Sequence, residues 1–485
     1  MVRLSAPIVC PGLFYAVPAQ DGSLFRLRIP GGVLTSHQAE AIANLATELG
    51  DGEVQVTNRA NLQIRAVGAQ IPAEVLKQLQ RLGLAGPIPE VDHLRNIMAS
   101  PTAGIDSQTV MDTRSLVSEL DQYLSSHPAL VGLPPKFSVG LDGGEAVSIG
   151  ERPNDVCLTA VNHNSEVAFR LSLNISKGGQ RLDLGVLLHP QAGSAIVAAI
   201  AEVYLHHEHQ ISDGTGKKPR LRQLLEHWSA EWYLEQVEKR IGYTLQRSPW
   251  GGCVRDDQGS AYLHLGIHPQ RQKGLSYLGV GVPLGRLAAD QLEGLAALAE
   301  RYGNGTLRLT PWQNVLIPNV LDSRVECLQS AIALLNLSTL PAHPAGAIVA
   351  CSGSGCKASA TDTQAHARLL IDYLEQRVKL DRPLNVHLSG CPKSCAQHSP
   401  SDIALLGVDV DRYHVYVGTG DAAQPFGQQI GRSVPLTEIP GLIEQLVQIY
   451  QQNRWVEETF RAFVDRSIPQ LQHSITSTSL NSTQL

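Results

Sequence analysis

The chain has 485 residues, 43% of them hydrophobic and 17% charged, which is the profile of a folded protein of several domains and excludes a disordered one. Lysine and arginine number 39 against 45 acidic residues, so the net charge is −6 and the global positive excess of a nucleic-acid binder is absent. Eight cysteines are too few for a disulfide scaffold at this length.

The opening residues, MVRLSAPIVCPGLFYAV, are too weakly apolar for a secretory signal, and no small-residue cleavage site follows them. No stretch of about 20 apolar residues occurs, so no membrane span is expected. The simplest expectation is a cytoplasmic protein in a reducing compartment, without membrane or nucleic-acid partners, whose thiols are free to bind metal. Between Leu24 and Pro30, Phe25, Leu27 and Ile29 alternate with Arg26 and Arg28, which is strand spacing. The arginines share one face, as in a strand lining an anionic pocket; a solvated sheet face would show the same alternation. Thr35 is placed to N-cap a helix whose apolar stripe is Ala39, Ile42, Ala43 and Ala46. Val54 and Val56 then return to period two.

The unit returns. Residues 25–64 align with 278–317 at a constant offset of 253, without a gap. Pro30 meets Pro283, Gly32 meets Gly285, Gln38 meets Gln291, Gly50 meets Gly303, Gly52 meets Gly305, Thr57 meets Thr310 and Asn61 meets Asn314. Register held at glycines and polar residues alike predicts two related halves, each burying a sheet face under helices. Between the repeats, residues 107–126 read as a helix, 137–145 as a strand and tight turn, and VAFRLSLNI and LDLGVLL as further strands. Helices are expected over 193–207 and 220–240. Beyond the second repeat, 361–377 forms a clear amphipathic helix and 435–465 a helical region. The polar end after Gln472 is expected to fray.

The cysteines fall into two classes. Cys10, Cys157, Cys253 and Cys327 are scattered; Cys157 and Cys327 are expected to act as small buried hydrophobes, and Cys10 and Cys253 as structural residues beside turns. Cys351 and Cys356 in VACSGSGCKAS, and Cys391 and Cys395 in LSGCPKSCAQH, form two close pairs. Each pair follows an apolar strand in a glycine-rich loop, and a helix separates them. Four thiolates from two such loops suit a cuboidal iron–sulfur cluster or a tetrahedral zinc. Small residues leave backbone N–H groups free to point at sulfur, which favours the cluster. The glycines of GVGVPLG lack dinucleotide-fingerprint spacing, and GSGCK is not a phosphate-binding loop. No 2-His-1-carboxylate pattern stands out. His93, His387 and His398 lie near the relevant motifs and read as hydrogen-bonding or surface residues.

The cysteine pairs, with HLSGCPKSCAQH and YLGVGVPLGR through YGNGTLRLTPWQN, resemble the sirohaem and [4Fe–4S] nitrite and sulfite reductase family, and ferredoxin-dependent nitrite reductase in particular. VCPGLFYAVPAQDGSLFRLRIPGG, TNRANLQIR, RNIMASPTAGID and LPPKFSVGLDGG resemble a narrower relative, precorrin-3B synthase. The resemblance covers nearly the whole chain. It implies an α+β fold of two pseudo-symmetric halves. Ferredoxin-like half-domains would span 1–80 and 246–335, reductase-type α/β domains 81–245 and 336–472, and a tail 473–485.

By that resemblance Cys351, Cys356, Cys391 and Cys395 would ligate a [4Fe–4S] cluster, and Cys395 would also bridge to a sirohaem iron. Arg26 and Arg59 would bind the tetrapyrrole, and Arg95 and Lys136 would act at the reacting group. A polycarboxylate ring in an acidic protein needs such arginine forks and lysine charges. Two positions depart from the family pattern. Four residues separate Cys351 from Cys356 where five are usual, and Ser138 stands where sulfite reductases carry a second lysine. The serine fits the precorrin-3B synthase pattern, which implies oxygen-dependent hydroxylation and lactone formation on precorrin-3A, with oxygen activated at a second iron centre, a mononuclear iron or a haem. The alternative is sirohaem-dependent reduction of nitrite or sulfite. An external electron donor, ferredoxin or a reductase, is implied in either case. A non-catalytic tetrapyrrole carrier is a third reading.

Overall fold

The computed structural model describes residues 11–68, 70–175, 181–211, 217–248, 262–420 and 426–467. Cys10, Cys253 and the tail after Gln472 lie outside them. The described chain forms two units, one of residues up to Val280 together with Arg286–Asn336, the other of Gly281–Gly285 and the residues from Leu337 onward.

In the first unit, β1 (Val17–Ala19) and β2 (Gly22–Leu27) form a hairpin, followed by β3 (Val33–Thr35), α1 (Ser36–Leu49), β4 (Glu53–Val56), β5 (Leu62–Val67) and α2 (Ala73–Arg81). Phe25, Leu27 and Ile29 are buried, as the alternation predicts. Arg28, just past β2, is buried as well, at 2% exposure, and Arg26 on β2 is half-buried, so the arginine face is not a fully solvated one. Thr35 caps α1 in a two-way box: its hydroxyl accepts from the Gln38 N–H, and the Gln38 side chain accepts from the Thr35 N–H at 2.9 Å.

The repeat is real and reciprocal. Its second copy is β12 (Gly266–Pro269), β13 (Leu275–Val280), β14 (Arg286–Ala288), α7 (Ala289–Tyr302), β15 (Thr306–Leu309), β16 (Val315–Leu321) and α8 (Val325–Leu334), where β12 to β16 and the intervening α7 follow the elements numbered β6 to β11 and α3 to α6 given below. Each copy lends a strand to the other. The first sheet has the order β1-β2-β5-β4-β14, and the second β12-β13-β16-β15-β3. Leu287 pairs with Val54 while Leu34 pairs with Leu307, and these two pairs are images of one another under the 253-residue offset. Gln38 donates to the Leu82 carbonyl at 2.7 Å, and Gln291 donates to Leu335 at 2.8 Å, again the same bond twice. Leu34 and Leu287 are both fully buried, worth about 1.5–3 kcal/mol each. The exchange is why both half-domains lie in one unit.

Between the copies lies a mixed sheet of β6 (Ile97–Ala99), β7 (Val139–Asp142), β8 (Val156–His163), β9 (Glu166–Asn174), β10 (Arg181–Leu188) and β11 (Gln246–Arg247). The strands β6, β7 and β8 run parallel, and the rest turn back antiparallel. Helices α3 (Arg114–Ser126), α4 (Gly193–His207), α5 (Leu221–Trp228) and α6 (Ala230–Ile241) pack with it around one core. Two expectations change. The helix expected from 107 begins only at Arg114, because Asp106 bonds the Gln108 N–H and the Ala146 N–H and holds the preceding residues in turns. The single helix expected over 220–240 is broken at Ser229, which sits at φ 71° and caps α6 through its hydroxyl.

The second unit repeats that sheet plan. The order is β17 (Ile348–Ala350), β18 (Val386–Ser389), β19 (Ile403–Asp409), β20 (Arg412–Val417) and β21 (Gln428–Pro435), the first three parallel. Helices α9 (Thr363–Arg377) and α10 (Ile439–Asn453) cover one face. The helical region expected over 435–465 stops at Asn453, where Arg454 turns to Asp381, and resumes over 460–467. Cys157 is buried as expected, whereas Cys327 is exposed on α8, whose inward residues are Val325, Leu328 and Ile332. Among the described residues no helix is long and apolar enough to cross a membrane.

The strand exchange depends on a close approach at Gly32. Its φ is +71°, and a Cβ there would lie 2.7 Å from the Leu309 carbonyl of the other copy. Gly52 shares a positive φ, but a Cβ there would meet nothing within 4 Å. Gly32→Ala is therefore expected to lose more stability in urea unfolding than Gly52→Ala, by about 1–3 kcal/mol. Equal losses would show that the contact does not matter.

Candidate active site

Two crossover connections place the cysteine loops. Because β17, β18 and β19 are parallel, the chain leaves β17 and β18 at the same edge, and open α/β sheets bind ligands at such carboxyl ends. Cys351 follows β17 directly and Cys391 lies two residues past β18. The Cys351 N–H donates to the Leu388 carbonyl at 3.0 Å, which ties the two loops together. The Gly390 N–H donates to Cys351 Sγ at 3.2 Å, the contact that lowers the cost of negative charge on sulfur. The stretch 359–363 crosses all this. Ser359 N–H donates to the Cys356 carbonyl, Ala360 N–H to the Gly390 carbonyl, and Thr363 Oγ1 to the Cys351 carbonyl.

The loops are small because nothing larger fits. A Cβ on Gly390 would fall 1.7 Å from Ser359 Oγ, and one on Gly353, at φ +51°, 2.7 Å from Asp362 Oδ1. Cys351 and Cys391 are half-buried, and Cys356 and Cys395 are exposed. Among the described residues no three His, Cys, Asp or Glu side chains stand close enough for one metal ion. The donor set, the glycine cradle and the N–H directed at Cys351 fit a [4Fe–4S] cluster.

The basic residues lie in the first unit. Arg59, in the turn between β4 and β5, donates to Asn96 Oδ1 at 3.1 Å and to the Pro153 carbonyl at 2.8 Å, and it also bonds Asn154. Asn96 in turn receives Asn61 and donates to the Phe137 carbonyl, so Arg59 and the segment carrying Lys136 meet through one amide. Burial pulls the Arg59 guanidinium down to about 10; Asp155 opposes this, and Arg28 and Arg220 add repulsion. Lys136 is exposed. Arg26 on β2 donates to Gln63 on β5 at 3.0 Å.

Arg95 is placed differently from Arg59. It grips Asp121 with two bonds, at 2.8 and 2.9 Å, donates to the Gly83 carbonyl, and has Asp92 3.7 Å away. Burial works against its charge, yet the two carboxylates outweigh it and hold the guanidinium above its usual range. Ser138 is buried and donates to Asp155 Oδ2, which Arg220 also grips. His93 and His387 are buried rather than at the surface; burial first, then Arg28 and Lys218 for His93 and His398 for His387, pushes each down to about 4. His398 is exposed. Asn154, Asp155 and Arg220 lie in no block singled out in the sequence; Arg28 and Asn96 lie in such blocks, but only the alternation around β2 marked Arg28 and nothing marked Asn96.

The nitrite/sulfite reductase ferredoxin-like half domain matches residues 17–82 and again 268–335, and the nitrite and sulphite reductase 4Fe-4S domain matches 90–245 and 345–467. The chain belongs to the nitrite and sulfite reductase family. That places it among iron–sulfur oxidoreductases. The ferredoxin–nitrite reductase of Synechococcus elongatus is 31% identical over 456 residues, covering 90% of this chain and 88% of that protein. The chloroplastic ferredoxin–nitrite reductase of Arabidopsis thaliana is 31% identical over 455 residues, covering 90% and 78%. The assimilatory ferredoxin-dependent nitrite reductase of Haloferax mediterranei is 29% identical over 505 residues, covering 94% and 84%. The solved structure of the NirA protein of Mycobacterium tuberculosis shares the fold, with a TM-score of 0.77 at 24% identity over 92% of this chain and 83% of that one.

Anaerobically purified protein is expected to carry about four iron and four labile sulfide per chain, the stoichiometry of one such cluster. Cys391→Ser should remove most of it, and Gly390→Ala should lower it by crowding Ser359. Stoichiometric zinc without sulfide would rule the cluster out.

Proposed function

We propose that the chain is a sirohaem- and [4Fe–4S]-dependent reductase that takes single electrons from a ferredoxin-type donor and delivers them to a small oxyanion, nitrite or sulfite. The observation that carries this reading is the pair of cysteine loops at the carboxyl ends of β17 and β18, with the Gly390 N–H on Cys351 Sγ. Matches to ferredoxin–nitrite reductases over about nine-tenths of the chain support it. When bound, the cluster supplies electrons one at a time and sirohaem supplies the iron at which the anion is reduced. Cys351, Cys356, Cys391 and Cys395 would hold the cluster, with Cys395 shared with the sirohaem. Arg26 and Arg59 would neutralise ring carboxylates, since a guanidinium takes a carboxylate at two points. Lys136, exposed, would meet the anion and carry protons to its oxygens.

A second reading is favoured by Arg95 and Ser138. A site for a small oxyanion gains from every nearby free cation, yet Arg95 faces two carboxylates and Ser138 adds none. Identities of 29–32% to reductases from cyanobacteria, plants and an archaeon also leave the chain about equally far from each. These observations suit a chain that binds a tetrapyrrole as substrate, with oxygen-dependent hydroxylation and lactone formation on precorrin-3A. A paired assay separates the two readings. Reduced ferredoxin with nitrite or sulfite should give ammonia or sulfide on the first reading. Precorrin-3A with oxygen and a reductant should give a product heavier by one oxygen atom on the second. Anion turnover with unmodified precorrin upholds the reductase; the reverse result replaces it.

A further inference from the structure

A guanidinium in the first unit remains outside both readings. Arg152 lies in the loop between β7 and β8, and its charge stands 4.7 Å over the ring of Trp312. Trp312 also stacks on His264, with centroids 4.5 Å and planes 12° apart. His264 is fully buried and receives the Asn314 amide on Nε2 at 3.3 Å. Burial, reinforced by Arg152, keeps that imidazole neutral. The indole is thus fixed from one residue and offers its π-system to another. A guanidinium held over an indole is restrained in position.

Among the described residues no carboxylate lies within ion-pair reach of Arg152, and its fork has no hydrogen-bond acceptor there. Burial pulls its charge down to about 10, against the opposing pull of Glu151 and Tyr262. The residue still keeps partial exposure, so a ligand can reach it. A ring contact offsets only part of the desolvation of a full charge. The next two residues of the same loop, Pro153 and Asn154, are those that hold Arg59. One loop therefore anchors one guanidinium and presents a second that meets no anion among the described residues.

We propose that Arg152, held over the ring of Trp312, binds a carboxylate of the tetrapyrrole in a two-point fork. The assignment rests on the tetrapyrrole-binding part of the function proposed above, which both readings share. An arginine suits this role where a lysine would not, because only the planar fork matches a carboxylate at two points and stacks on an indole.

The test uses the full chain, with uroporphyrin III as the polycarboxylate probe, tryptophan quenching as the binding readout and sodium nitrite as competitor. Arg152→Gln and Arg152→Lys are both expected to weaken uroporphyrin binding about tenfold or more, the scale of a lost charge-assisted pair. Without ligand, Arg152→Gln should melt at or above the wild-type temperature, because an uncompensated buried charge has gone. A purely structural arginine would do the opposite, lowering the melting temperature and leaving affinity alone. Unchanged affinity in both variants overturns the assignment. Ring binding that is unchanged while nitrite competition is lost would give Arg152 to the small anion and also overturn it. A wild-type chain that takes up no uroporphyrin would remove the tetrapyrrole reading itself, and the assignment with it.

Discussion

The parallel pairing of β17 with β18 is the constraint on which the proposed chemistry rests. Ile348 faces Val386 and Ala350 faces Leu388, so the residues that follow each strand emerge side by side. Cys351 and Cys391 are distant in sequence, yet the Gly390 N–H reaches Cys351 Sγ. Parallel neighbours require a crossover, and α9 supplies it while burying Ala367, Leu370, Ile371 and Leu374 against the sheet. The same hydrophobic burial that folds the unit therefore sets the thiols. A one-residue slip of β18 would turn Val386 and Leu388 out of the core and carry the Cys391 loop away from Cys351.

The fold uses one plan twice and gives the copies different work. In the loops that follow β6 and β7, the counterparts of the cysteine-bearing loops, the first unit carries Ser100, Thr102, Asp106 and Glu145. Ser100 donates to the Val147 carbonyl, and Asp106 accepts from Ala146, so hydrogen bonds within the protein close those loops. The half-domain copies diverge in the same way. Under the 253-residue offset, Arg59 corresponds to Trp312. One position holds a cation and the other an aromatic platform that receives a cation, Arg152, from elsewhere. The backbone repeats because strand exchange requires it; the side chains at the ends of the elements are free of that requirement.

Local and periodic features were legible in the sequence. The alternation of Phe25, Leu27 and Ile29, the Thr35 cap and the offset itself each depend on neighbours in sequence or on a fixed spacing. The exchange of β3 and β14 between copies was not legible, because a strand of three residues carries no sign of its partner. Nor was the fate of Arg95. Its partners, Asp121 on α3 and Asp92, are ordinary surface-type residues in the sequence, and only the packing of α3 turns them on the guanidinium. The break at Ser229 was hidden by strong helical periodicity on both sides. Arg152 lay in a loop with no motif, and Trp312 inside the YGNGTLRLTPWQN block, where nothing marked it as the partner of a cation. Family resemblance singled out the cysteines and basic residues; the carboxylates that engage Arg95 were visible only in three dimensions.

The central claim is that the four cysteines of the second unit hold a redox-active [4Fe–4S] cluster. Electron paramagnetic resonance of anaerobically purified, dithionite-reduced chain tests it most directly. A cluster that accepts a single electron gives a cold-temperature signal integrating to about one spin per chain. That signal should change shape when sirohaem is added, since Cys395 is proposed to join the two. A protein that stays silent on reduction while holding stoichiometric zinc would contradict the account.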